Sequence, residues 1–270
     1  QMLKRQPRAQ ASPGKPRQES CYLSRVRVRW LFNSLLCALA FAQGVLAEPS
    51  KPEVVLAPGW GKLSFEAPVA GTYDLPKIRP AAGGTILDDA GKSLDLDDLL
   101  GEKITVLSFI YRTCDDINGC PLSTMVLHRL AGKVKEQPRL ADNLRLLTLS
   151  FDPEFDTPEV MKKFGEGIKG SSANKEGAPD WQFLTSNSDQ AIQPILDAYQ
   201  QSVIPDMQTQ ADGRKKYSHI LRVYLIDRKK QIRNIYNVSF LHPDILINDV
   251  LTLLNEEQVG QKSNPKVVSL

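Results

Sequence analysis

Cysteine and histidine are scarce in this chain, four and three among 270 residues. So few cysteines exclude a framework of several disulfides. The four methionines, Met2, Met125, Met161 and Met207, are scattered, which excludes a methionine-rich metal-carrier motif. Surplus positive charge is missing from most of the chain. The formal net charge is +3, but residues 1–47 hold eight Lys/Arg against one acid, leaving 26 bases and 30 acids for residues 48–270. That balance excludes a basic nucleic-acid footprint on the folded part. No internal repeat is present. With 41% apolar and 24% charged residues, a core of ordinary size can be buried and disorder throughout is excluded. The length allows one medium domain with appendages or two small ones.

The one long apolar run lies near the start. Arg25, Arg27 and Arg29 lead into WLFNSLLCALAFAQGVLA (30–47), followed by Glu48, Pro49 and Ser50. This is the pattern of an export signal, with Val45 and Ala47 as the small residues before a cleavage point. The alternative is an uncleaved anchor, because the 18 residues fall within the ~17–25 that span a bilayer. Asn33 and Gln43 weaken the anchor reading. Either way the domain is expected outside the cytoplasm, periplasmic or otherwise exported, and membrane-proximal if the leader stays. Cys21 and Cys37 belong to the leader, so the mature chain keeps Cys114 and Cys120. A lone close pair in an oxidising compartment is a disulfide, a redox couple or a soft-metal ligand pair.

Residues 48–82 carry six of the 18 prolines and are expected to form an extended arm packed on or tethering the domain. The folded unit is expected over 83–258, with a tail at 259–270. TILDDAGKSL (85–94) predicts an N-terminal hairpin, and ITVLSFIY (104–111) and LRLLTLSFD (144–152) predict buried strands. A helix opens at Pro121, with Leu122, Met125, Val126, Leu130 and Val134 on one face. Thr157-Pro158 marks the start of another. A short strand WQFLTS, a helix over about 188–200, a hairpin formed by SHILRVYLID and QIRNIYN, and a closing helix over 242–257 complete the unit. This order predicts an α/β sandwich with a central mixed sheet, a thioredoxin-like layout. The carboxyl ends of its parallel strands, where Arg112 and Asp152 lie, would share an edge with the amino end of an antiparallel neighbour. Cys114, Cys120, Asp152 and His219 can therefore converge.

The sharpest local signal is RTCDDINGCPLS (112–123), which sets both cysteines between a buried strand and a proline-initiated helix. Cys120 is expected at the N-cap, where unpaired N–H groups and the helix dipole favour thiolate. A structural disulfide fits the spacing too, although closing so short a loop removes little chain entropy. Among the histidines, His128 falls opposite its helix's apolar face and is expected in solvent. His242 precedes Pro243 at a helix start, where capping or exposure is expected. His219 begins the C-terminal hairpin on the cysteine edge. Two thiolates and an imidazole suit copper, as Cu(I) or Cu(II). A closed zinc site would need a fourth ligand that the sequence does not offer nearby. Asp115 and Asp116 read as solvated loop acids, with a supporting place beside the metal as the other reading of Asp116.

VLSFIYRTCDDINGCPLS, LSFDPEFDTPEV, WQFLTS and SHILRVYLID, in this order, resemble the SCO/SenC family of thioredoxin-fold copper proteins over about residues 83–258. The resemblance implies copper ligation by Cys114, Cys120 and His219, with Asp152 as a supporting acid. It also implies delivery of copper to the dinuclear copper centre of cytochrome c oxidase, or reduction of that centre's cysteines. The partner would then be a copper-receiving protein such as an oxidase subunit. This sequence departs from the family pattern at two points. Five residues (Asp-Asp-Ile-Asn-Gly) separate its cysteines where three are usual, which puts copper affinity and client in question. Tyr217-Ser218 precede His219 where an acidic residue is common.

Two other functions fit a cysteine pair. A thiol-disulfide oxidoreductase would use Cys114 and Cys120 on a client's cysteines. A general catalyst of that kind usually has two residues between its cysteines and a facing cis-proline, and here Ser218-His219-Ile220 stand in that place. A peroxidase would use Cys114 as the reactive thiolate and Cys120 to resolve it, but the Thr/Pro-rich approach to the cysteine is missing.

Overall fold

The apolar runs of the sequence become the interior strands of one sheet. The computed structural model describes residues 54–170, 177–207, 209 and 213–263, with side chains through 260. The expected leader, 1–47, lies outside the described residues. Along the chain come β1 (Arg79–Pro80), β2 (Thr85–Leu87), β3 (Ser93–Asp95), β4 (Ile104–Ile110), α1 (Cys120–Val134) and the single turn α2 (Pro138–Ala141). Then follow β5 (Leu144–Ser150), α3 (Pro158–Lys169), β6 (Asp180–Leu184), α4 (Asp189–Ala198), β7 (Val203–Pro205), β8 (Tyr217–His219), β9 (Val223–Ile226), β10 (Gln231–Tyr236) and α5 (Pro243–Ser263). Among the described residues no helix is long and apolar enough to cross a membrane.

The main sheet has the order β1-β10-β9-β4-β5-β6. β4, β5 and β6 are parallel, β9 is antiparallel to β4, and β10 and β1 continue antiparallel. All seven residues of β4 and all seven of β5 are buried, as continuous aliphatic and β-branched runs require when both faces are covered. Alternate residues show what covers each face. Phe109 packs edge-on against Tyr199 at the end of α4, whereas Ile110 shares a cavity wall with Met125 of α1 and Phe164 of α3. α5 lies against α1, and β2 pairs with β3 as the expected N-terminal hairpin. The α/β sandwich with a central mixed sheet and flanking helices is therefore present.

Local chemistry sets the helix starts. Thr157 accepts a hydrogen bond from the Val160 N–H, and Ser188 accepts one from Ala191. His242 caps α5 by accepting from the Asp244 N–H at 3.2 Å, so it is a buried cap rather than an exposed residue. In α1, Leu122, Val126, Leu127, Leu130 and Val134 are buried and His128 is exposed, as periodicity predicts. Met125 is only half-buried.

Two expected elements differ: α5 runs on to Ser263, past the expected helix end at 257 and into the expected tail, and the strand bearing the histidine lies elsewhere. His219 does not begin the hairpin strand: β8 pairs with β7 in a separate two-stranded ribbon, with Val203 opposite His219. The chain leaves that ribbon at Ile220, whose carbonyl accepts from the Gln201 amide, and re-enters the main sheet only at Val223. β7 follows α4 closely, and the ribbon is thus built from the residues just after that helix and those just before β9.

The proline-rich segment packs closely from Val55 onward. Pro58–Trp60 form a 3-10 turn against α1, Tyr73 Oη donates to Asp249 of α5, and Arg233 donates to the Leu75 carbonyl. At Gly59 the approach to the core is closest. A Cβ there would meet the Leu241 carbonyl at 2.4 Å, Val126 Cγ2 at 2.8 Å and Leu122 Cδ1 at 2.9 Å. The backbone oxygen cannot move aside cheaply, so Gly59→Ala is expected to destabilise the fold by about 1–3 kcal/mol. Thermal unfolding with circular dichroism would check this, and an unchanged midpoint would show that the turn does not press on α1.

Candidate metal centre

The end of β4 delivers the first cysteine. Past Ile110, Tyr111 stays buried and Arg112 turns outward, its N–H donating to Asp156. The Cys114 N–H then donates to the Tyr111 carbonyl at 3.2 Å, a tight turn that keeps Cys114 at the sheet edge. Asp116 closes the loop: its carboxylate accepts from the Asn118 N–H and its carbonyl from the Gly119 N–H. A Cβ on Gly119 would lie only 3.0 Å from that carboxylate. Helix α1 starts at Cys120, with Gly119 at the cap position and Pro121 in the first turn. Cys120 is thus the first helical residue and not the cap, because Gly119 supplies the non-helical backbone at the junction.

His219 arrives from β8 on the far side of the edge. Its Nε2 lies 3.5 Å from Cys114 Sγ and 3.5 Å from Cys120 Sγ. The three donor atoms lie within 4.8 Å of one another, and the two cysteines are unbridged. Among the described residues no other group of three Cys, His, Asp or Glu is placed this way. The imidazole is gripped by rings: Tyr111 packs edge-on at 5.7 Å and Phe151 lies at 5.4 Å. Tyr217 in turn packs edge-on against both Tyr111 and Phe151. A cavity of about 450 Å³ opens beside both sulfurs, lined by Trp60, Met125, Phe164 and Ile168 among others.

The two thiols differ in ionisation. The Cys114 thiol is drawn down to about 4, first by a hydrogen bond from Cys120. His219 and the backbone N–H groups of Cys120 and Asp116 assist, against the opposing effect of partial burial. Cys120 is almost fully buried, and burial followed by its contacts with Cys114 pushes its thiol up. The expectation that the helix start favours a Cys120 thiolate is therefore corrected. The first N–H of α1 assists both sulfurs, but burial of Cys120 in the core outweighs that help and leaves Cys114 as the sulfur that favours thiolate.

Asp152 and Asp116 sit near the site without contributing a donor to the trio. Asp152 is buried, and its Oδ1 accepts from Tyr217 Oη at 3.0 Å, so it steadies the ring that backs the imidazole cage. Asp116 reaches Cys114 through its N–H, while its carboxylate serves the loop. Asp115 is exposed and pairs with Lys216 at 2.9 Å, a surface contact of little energy. Sequence reasoning missed the ring cage of Tyr111, Phe151 and Tyr217. Two of these, Tyr111 and Phe151, stand at the ends of the apolar strand runs, which is the signal that could have found them.

The sequence profile of the SCO1/SenC family matches residues 84–255, which is more than half of the chain and includes both cysteines and the histidine. The chain belongs to the SCO1/SenC family. It is 28% identical over 169 residues to the SCO1 protein homolog of Bacillus subtilis, covering 62% of this chain and 78% of that protein. In fold it resembles the Arabidopsis thaliana ScoI crystal structure with copper bound, at TM-score 0.54 and 21% identity over 66% of this chain and 99% of that one. It likewise resembles a SCO1/SenC family lipoprotein from Bacillus anthracis, at TM-score 0.51 and 23% identity over 65% of this chain and 95% of that one. The fold is thus the thioredoxin-like one of Sco proteins.

Burial pushes the Asp152 carboxyl up to about 6, with the Tyr217 hydrogen bond opposing and the Asp156 charge adding to the rise. The folded form therefore holds a proton that the unfolded chain has lost between about pH 4 and pH 6. Stability contributed by this group falls as pH rises through that window, and the full cost is present above it. Asp152→Asn keeps an acceptor for Tyr217 and removes the charge. It is expected to stabilise the fold at pH 7 by about 1–3 kcal/mol, with no gain at pH 3.5. Urea unfolding at the two pH values checks this, and an equal effect at both would refute the assignment.

Proposed function

We propose that this protein is an exported copper metallochaperone that holds copper through Cys114, Cys120 and His219 and passes it to a copper-receiving protein. The observation that carries the reading is the equal 3.5 Å approach of His219 Nε2 to both sulfurs. For zinc, bonds of about 2.3 Å to sulfur and about 2.0 Å to nitrogen at the tetrahedral angle place sulfur and nitrogen about 3.5 Å apart, so the spacing fits a metal ion of this size. The donor set is soft on two sides and borderline on the third, which suits copper in both common oxidation states. Three protein donors leave a coordination position free for an incoming ligand. The resemblance to copper-bound Arabidopsis ScoI and the family membership support the same cargo. Transfer would proceed by exchange of ligands with a partner's thiols. The family's association with cytochrome c oxidase makes an oxidase subunit, or a related exported copper enzyme, the proposed recipient. The basic, apolar leader supports the exported location.

A second reading, thiol-disulfide reduction of a client, is favoured by one observation. The more accessible Cys114 carries the lowered thiol while buried Cys120 stays protonated, the arrangement of an attacking and a resolving cysteine.

Copper titration of the reduced protein with electron paramagnetic resonance tests the first reading. Wild type should give a sulfur-ligated Cu(II) signal. Cys114→Ser, Cys120→Ser and His219→Ala should each weaken binding by more than about a hundredfold, beyond the ~10–100-fold that loss of an outer partner costs. A His219→Ala protein with unaltered spectrum and affinity would remove the three-ligand assignment. Robust metal-free turnover of insulin disulfides would place the second reading first.

A further inference from the structure

The proposed site has one weakness in its sequence: five residues lie between the cysteines, and a longer loop has more conformations to lose before both sulfurs can face one imidazole. The structure shows what restrains it. Asn118, inside that loop, uses both ends of its carboxamide on the N-terminal segment. Its Oδ1 accepts from the Ala57 N–H at 2.9 Å, and its Nδ2 donates to the Val55 carbonyl at 2.9 Å. Residues two apart on an extended backbone are thereby paired as a neighbouring strand would pair them. One residue earlier, the Ile117 carbonyl accepts from Trp60 Nε1 at 3.2 Å.

The segment that makes these contacts is itself fixed to the core. Ala57 and Gly59 are buried, and Arg129 of α1 donates to the carbonyls of Gly59 and Trp60 at 2.9 and 3.0 Å. Gly59 is held against Leu122 and Val126 of the same helix that begins with Cys120. The route of restraint therefore runs from α1 to the Val55–Trp60 segment, then through Asn118 and Ile117 to the loop that bears Cys114. The other contact across the loop, Asp115 with Lys216, is exposed and contributes little. Asp116 bonds within the loop and shapes it, and Gly119 joins only the loop's far end to α1, its carbonyl accepting from the Ser123 N–H, so neither ties the Cys114 side to the body.

We infer that Asn118 and the Val55–Trp60 segment are positioning elements of the thiol site, holding the long inter-cysteine loop so that Cys114 faces Cys120 and His219. Asn118 touches no donor atom and acts through the loop. Trp60 has two tasks, since it also lines the cavity beside the sulfurs. The N-terminal segment thus contributes to the site although it lies ahead of the family-matched region.

The part of this inference that concerns copper rests on the proposed carrier function, and the part that concerns the loop does not, so the test has two arms. In the metal-free full chain, Asn118→Ala should speed amide hydrogen exchange of residues 113–119 by about tenfold, with α1 and β4 unchanged. Trp60→Phe, which keeps a ring and removes the N–H donor, should give a smaller change of the same kind. In the copper arm, Asn118→Ala should weaken Cu(I) binding by about tenfold and broaden the Cu(II) resonance, the size of effect seen when a ligand's supporting contact is lost. Unchanged exchange in both variants overturns the inference whatever copper does. If wild type shows a sulfur-ligated signal and Asn118→Ala reproduces it with equal affinity, the positioning role is overturned while the carrier reading stands. If wild type shows no such signal, the carrier reading fails and accelerated exchange still supports the loop restraint.

Discussion

The antiparallel seating of β9 on the parallel strand β4 is the constraint from which the site follows. Ser108 pairs with Val223, so the outgoing end of one strand and the incoming end of the other meet at one edge of the sheet. The chain must leave β4 there and must arrive at β9 there. Everything donated to the site comes from those two passages: Cys114 and Cys120 just after the first, His219 just before the second. A residue 105 positions away in sequence becomes a neighbour at 3.5 Å because two strands share a register.

Around this meeting point the protein uses two kinds of support. The imidazole is placed by ring contacts from Tyr111 and Phe151, with Tyr217 behind them and buried Asp152 holding the Tyr217 hydroxyl. The cysteine loop is placed by hydrogen bonds, most of them to main-chain groups. Ring packing resists displacement in many directions at once, whereas a hydrogen bond fixes one distance and is sensitive to one substitution. The electrostatic asymmetry of the sulfurs follows from the same layout: Cys114 at the edge accepts hydrogen bonds from Cys120 and His219, and the core encloses Cys120.

Much of this was legible in the sequence because it is written in strong local patterns. The β4 and β5 runs, the Thr157-Pro158 start and the apolar face of α1 each obey one short-range rule, and the edge on which Cys114, Cys120 and His219 meet follows from the order of those elements. What escaped depends on pairings with no local pattern. The β7–β8 ribbon that carries His219 joins 203–205 to 217–219 across a polar stretch with no hydrophobic alternation. The cap at Gly119 differs from the expected one by a single residue, and it leaves Cys120 inside the first turn, where burial raises its thiol. The grip of Val55–Trp60 on Asn118 spans some 60 residues and uses backbone atoms, which every sequence possesses.

The two sulfurs are anchored in materials of different strength. Cys120 belongs to a helix whose other buried residues form part of the hydrophobic core, so displacing it would mean disturbing that core. Cys114 rides on a short surface stretch kept in place by polar contacts. Under the proposed carrier function, an ion held by the trio would be surrendered in stages, dropping from three bonds to two when that stretch lifts, with no strand or helix having to melt.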